Sequence, residues 1–225
     1  MQEVKSQKTM LKSYINFKSV VTIAMFAMLA ACNSVPTKSA SSGDKENLVN
    51  SDEAKAPIVV KKTYKISASV EQQFSYGIEA MQQEDYMQAI QIFKKVAENE
   101  PRASGPWVNL AIAYRKLDQL DNADKAIEKA VKLNPKNPYA FNQAGIIKRE
   151  KGAFEEAEKL YRSALSEYPN YSNAHLNLAI LCDLYLQKIV CAKSHYQAYQ
   201  EIEKSDDKQV IAWLSDLSRR ESQIK

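Results

Sequence analysis

SGPWVNLAIAYRKLDQLDNADKAIEKAVKLNPKN (residues 104–137) and PYAFNQAGIIKREKGAFEEAEKLYRSALSEYPNY (residues 138–171) lie end to end and superpose without a gap. The first carries Trp107, Leu110, Ala111 and Tyr114, then Ala123, Ile127, Ala130 and Pro135. The second carries Phe141, Ala144, Gly145 and Lys148, then Ala157, Tyr161, Ala164 and Pro169 at the same offsets. Within each half of a unit, apolar groups recur at i, i+3, i+4 and i+7, the period of an amphipathic helix. Small residues (Ala111 and Ala123, Gly145 and Ala157) allow two antiparallel helices to approach, with a large partner filling each notch. Pro135 and Pro169 close the second helices, because proline cannot continue the backbone ladder. Asp121 and Asn122 before Ala123, and Asn137 before Pro138, are expected to cap helix starts.

This pattern of a large apolar residue, Leu, a small residue and Tyr, then Ala, an aromatic, Ala and Pro, resembles the tetratricopeptide repeat (TPR). The resemblance implies an all-α solenoid of stacked helix pairs with a concave binding face. Working outward, Phe74, Gly77, Ala89, Phe93 and Pro101 hold the same 34-residue phase. The repeats are therefore 70–103, 104–137 and 138–171, followed by a degenerate unit at 172–205. In that fourth unit Leu178-Ala179 keeps phase, after which two registers compete. One places Cys191 and Ala198 at the small positions; a one-residue insertion places Ala192 there and Tyr196 at the aromatic one. A capping helix is expected at about 208–222, opened by Asp206 and Asp207. Its apolar stripe is Val210, Ile211, Trp213, Leu214 and Leu217, with Arg219 and Arg220 at its end. The capping helix and tail make up residues 206–225.

The first third reads differently. Residues 1–31 carry Lys5, Lys8, Lys12 and Lys18 against Glu3, then an apolar run from Val20 to Leu29 that is too short to span a membrane. The ending Leu29-Ala30-Ala31-Cys32 resembles a bacterial lipobox, which implies a signal peptide cut before Cys32, lipidation of Cys32 and a lipid anchor. An ordinary signal peptide is the alternative. Asn33 after the cysteine favours the outer membrane by analogy. Residues 32–69 are expected to form the lipidated end and a flexible tether, of which 33–56 are nearly free of large apolar groups, while 57–68 could form an extended strand or dock on the repeats. The chain's formal charge is +4. The leader holds four lysines and one glutamate, so its removal leaves about +1, which argues against a nucleic-acid partner.

Few residues offer chemistry. Among 5 glycines no phosphate loop stands out, and the 2 histidines form no triad with serine and acid. The expectation is no enzyme, no metal and no cofactor. Cys182 and Cys191 flank the fourth inter-helix turn and are a candidate disulfide; the alternative is two buried free thiols, with a metal site involving His195 as a remote third reading. In TPR proteins the inward-facing positions are the second, fifth, sixth, ninth, twelfth and thirteenth of a unit. Here they give Val108, Asn109, Ile112, Arg115 and Lys116, then Tyr139, Asn142, Gln143, Ile146, Arg149 and Glu150, then Leu176, Asn177, Ile180 and Asp183. Amides suited to a peptide backbone, a row of isoleucines and two arginines at one edge suggest a groove for a peptide or helix of an envelope protein. The overall plan resembles TPR lipoproteins that assist pilus or secretin assembly. The rival expectations are an adaptor for peptidoglycan hydrolases or synthases, and a structural module whose groove is filled by its own tether.

Overall fold

The computed structural model describes residues 67–204 and 206–224. The expected signal peptide, Cys32 and most of the expected tether lie outside the described residues. Those residues form α1 (Ala68–Gln82), α2 (Tyr86–Asn99), α3 (Gly105–Lys116), α4 (Leu120–Leu133), α5 (Pro138–Glu150), α6 (Phe154–Glu167), α7 (Ser172–Leu184), α8 (Ile189–Glu203) and α9 (Lys208–Ile224), with no strand among them. Each helix packs on the next in sequence. In addition α3 meets α5, and α5 meets α7, so the first helices of successive hairpins form one layer. No helix among the described residues is long and apolar enough to cross a membrane.

The helices begin and end where local chemistry dictates. Ser67 Oγ accepts from the Val70 amide, Asp85 from Gln88, and Asn137 from Tyr139 and Ala140. Each satisfies donors that the first helical turn leaves orphaned. Pro138 sits at the first position of α5, where its missing N–H costs nothing. Asp121 and Asn122 are not caps. Helix α4 starts one turn earlier than expected, with Gln119 in the cap position, and Asp121 occupies the favourable acidic first turn.

The repeat is visible in the turns themselves. Glu84, Asp118 and Gly152 adopt left-handed backbone with φ of 60°, 59° and 81°. The residue after each donates its amide five residues back: Asp85 to Ala80, Gln119 to Tyr114 and Ala153 to Lys148. The fourth left-handed residue is Gln187, one place late. Helix α7 ends in phase at Leu184, and the Leu186 amide then reaches back to the Leu181 carbonyl while Lys188 reaches Cys182. The extra residue is therefore taken up in the turn. As a result Ala192 and Tyr196 are buried (0% and 1% exposed), which selects the inserted register over Cys191 and Ala198.

The core is made by notches filled from the opposite helix. Gly77 faces Phe93, and Gly145 faces Tyr161, so closely that a Cβ on either glycine would sit 2.7 Å or 2.6 Å from the ring. At the same places in the second repeat stand Ala111 and the branched, smaller Ile127, both fully buried. Burying each of these large side chains contributes about 1.5–3 kcal/mol. At the C-terminal end α9 packs on α8 through buried Val210 and Leu217. Ile211, expected in that stripe, instead faces solvent at 47% exposed, because it falls outside the arc shared by Val210 and Leu217. Arg220 reaches 2.7 Å to the buried Asp183 carboxylate on α7.

Candidate functional site: the face of the first helices

The layer of first helices is stitched by polar contacts between residues 35 apart, one repeat plus one step. Arg115 Nη1 on α3 lies 3.2 Å from Glu150 Oε1 on α5. Asn177 Nδ2 on α7 donates to Asn142 Oδ1 on α5 at 3.1 Å, and Asn142 Nδ2 in turn donates to the Tyr171 hydroxyl at 3.4 Å. Asn109 Nδ2 folds back on the Gly105 carbonyl of its own helix at 3.0 Å.

The expected inward-facing residues divide into two groups. Asn109, Ile112, Asn142, Ile146 and Ile180 are buried, as are Val108, Gln143 and Asp183. The three isoleucines of the row are thus buried rather than open to a groove, and Ile112 belongs to the hydrophobic core. Lys116 and Glu150 are exposed, while Arg115, Tyr139, Arg149, Leu176 and Asn177 are half-buried. Asp183 is held by Arg220, which takes it out of any groove. Burial pushes its carboxyl above the ordinary range, and the Arg220 guanidinium only partly opposes this.

Buried atoms on or near this layer without a hydrogen-bond partner among the described residues include Asn109 Oδ1, Arg149 Nη1, Trp107 Nε1 and the Tyr161 hydroxyl. Burial lifts the Tyr161 hydroxyl to about 12, with the Arg149 charge the largest opposing influence, so Tyr161 stays a neutral donor. Sequence reasoning reached Arg149 and Asn109 by phase but treated Tyr161 as packing alone.

Sequence reasoning also missed an ion cluster on the other side of the hairpins. Lys148 and Lys151 on and after α5 converge on Asp124 of α4 at 2.8 and 2.7 Å, with Glu128 3.2 Å from Lys148 and Asp121 3.0 Å from Lys151. Its only signal was Lys148 standing where the preceding repeat has Tyr114. Cys182 and Cys191 are joined as a disulfide, with their Cα atoms 5.9 Å apart. Glu158 beside them is paired with Lys188 at 2.6 Å and Arg162 at 2.8 Å.

Helix hairpins recurring every 34 residues, with small-against-aromatic notches and a polar inner layer, define a TPR solenoid. Residues 80–142 match the tetratricopeptide-repeat family model. Over 103 residues the chain is 29% identical to small glutamine-rich tetratricopeptide repeat-containing protein 2 of Mycosarcoma maydis, covering 46% of this chain and 29% of that protein. It is 31% identical over 85 residues to a TPR repeat-containing protein of Methanocaldococcus jannaschii, covering 38% and 15%. The chain thus spans less than a third of the length of these curated relatives. Among solved structures it is similar to pilF of Pseudomonas aeruginosa, with a TM-score of 0.63 at 22% identity, covering 69% of this chain and 70% of that one. It is also similar to the first TPR of Spaghetti bound to the HSP90 peptide SRMEEVD, with a TM-score of 0.50 at 25% identity, covering 54% and 96%.

Proposed function

We propose that the protein is a non-catalytic scaffold that holds an extended peptide or helix of another protein against its first-helix layer. The observation that carries this is the polar character of that layer where it stays open to solvent: the half-buried Asn177 amide and Arg149 guanidinium lie on successive first helices, and both groups can hydrogen-bond a peptide backbone. Exposed Lys116 and half-buried Arg149 mark one edge, which suits a carboxylate on the bound segment. The TPR of Spaghetti binds its peptide on the same kind of hairpin stack.

The finer reading comes from the order of the sequence. A basic, apolar leader ending in Leu29-Ala30-Ala31-Cys32, then a polar stretch, precedes the repeats. On that order we place the protein at the outer membrane, facing the periplasm and lipid-anchored through Cys32. There its partner is an envelope protein, and its role is to assist assembly of a pilus or secretion machine. A photo-crosslinker at Asn177 tests the binding face, with Lys125 on α4 as the control. Adducts at Asn177 and none at Lys125 are expected; the reverse pattern overturns the assignment. Metabolic labelling with palmitate, lost in Cys32→Ser, tests the anchor.

A further inference from the structure

We propose that His175 and His195, on the two helices of the fourth hairpin, form a two-histidine site for a late first-row divalent metal ion such as Ni2+ or Cu2+. The imidazoles come from α7 and α8, and their Nδ1 atoms lie 2.9 Å apart. The ring centroids are 5.1 Å apart and the planes are inclined by 43°. His175 Nε2 is 2.9 Å from the Pro169 carbonyl oxygen, so it carries the hydrogen and donates. In that tautomer the Nδ1 of His175 carries no hydrogen and stands on the side of His195. A ring nitrogen donating to a backbone carbonyl while its other nitrogen faces the ligand position is the usual support of a metal-binding histidine.

An ion about 2.05 Å from both nitrogens would lie to one side of the line joining them and see them at roughly 90°, so each ring turns toward it on binding. This is the cis angle of tetragonal or octahedral coordination, which selects late first-row ions of that geometry; a tetrahedral ion needs the nitrogens to part by about 0.4 Å. In the metal-free pair one hydrogen lies between the nitrogens, on His195 Nδ1. On binding, that hydrogen leaves Nδ1 and one is taken up at Nε2 through solvent. The neutral pair therefore exchanges tautomer with no net proton released, and water completes the coordination. The nearby cation Arg162 is engaged by Glu158 at 2.8 Å.

The repeats supply variants that should fold. His175 stands where Trp107 and Phe141 stand, and His195, allowing for the inserted residue, where Leu160 stands. Untagged, disulfide-intact protein titrated with NiCl2 by calorimetry is expected to bind one Ni2+ per chain. Its Tm should rise by about 4 °C at saturation. His175→Phe and His195→Leu, each checked for native helicity by circular dichroism, are expected to lose both effects. Absence of saturable binding, or binding undiminished in the folded variants, would show that the pair only shares a hydrogen and would overturn the proposal.

Discussion

A Cβ placed on Gly145 would lie 2.6 Å from Cε1 of Tyr161, inside any permissible carbon–carbon contact. The ring fills the space a side chain on α5 would need, and Gly77 stands to Phe93 in the same way at 2.7 Å. Where the second repeat has Ala111, the opposing residue is Ile127. The chain thus holds two solutions to one packing problem, glycine against an aromatic and alanine against a branched aliphatic.

This sets up a compensation experiment. Gly145→Ala should destabilise by about 1–2 kcal/mol in urea unfolding, the overpacking penalty exceeding the helix-propensity gain. Gly145→Ala with Tyr161→Ile, which copies the Ala111 and Ile127 pair, should recover stability relative to Tyr161→Ile alone. A double variant less stable than Tyr161→Ile would show that the notch does not govern the pairing.

Acid should weaken the joint between α4 and α5. Burial pushes the Asp124 carboxyl up, but the hydrogen bonds and charges of Lys148 and Lys151 outweigh it and hold the pKa below its ordinary 3.8. A depressed folded value means the contribution is fully present above 3.8 and is lost as pH falls through the lower, folded value. Asp124→Asn should cost about 1–2 kcal/mol at pH 7. The gap to wild type should close in acid, which urea melts across pH would record.

The helix pairs of the first three repeats were legible because a 34-residue phase fixes many positions at once. Glu84, Asp118 and Gly152 share no residue type, yet the phase locates them. The fourth unit was ambiguous for a physical reason. Both registers place a small residue near the notch, Cys191 or Ala192, and only the backbone path through Leu186 and Gln187 decides. The isoleucine row misled differently. Positions that face a groove in a widely spaced stack become buried where first helices close up, as they do where Asn177 donates to Asn142 across two repeats. Single-repeat periodicity does not contain it. Ile211 shows the same limit, since a helical stripe says which residues are apolar but not how wide a face the neighbour covers.

The disulfide should matter most locally. Cys182 and Cys191 are 9 positions apart, and closing so short a loop contributes about 2–3 kcal/mol by the chain-entropy estimate. Cys182→Ser with Cys191→Ser should lower stability by that amount and speed amide exchange in α7 and α8 more than in α3 and α4. Non-reducing mass spectrometry should find no alkylatable thiol at either position.

The cap helix should be held by Arg220. Arg220→Met leaves the 7%-exposed Asp183 carboxylate without its cation and should cost about 2 kcal/mol. Ile211→Lys, on the solvent side of the same helix, should change stability by less than about 0.5 kcal/mol. Equal effects of the two would mean that α9 docks in another orientation.

The most direct trial of the scaffold proposal reverses the charge at the edge of the first-helix layer. In-cell crosslinking should be compared between wild type and an Arg115→Glu, Arg149→Glu double variant of matched abundance and melting temperature. The expected result is loss of the crosslinked partners from the variant. Partners retained at wild-type yield would contradict the assignment of this face as the binding surface.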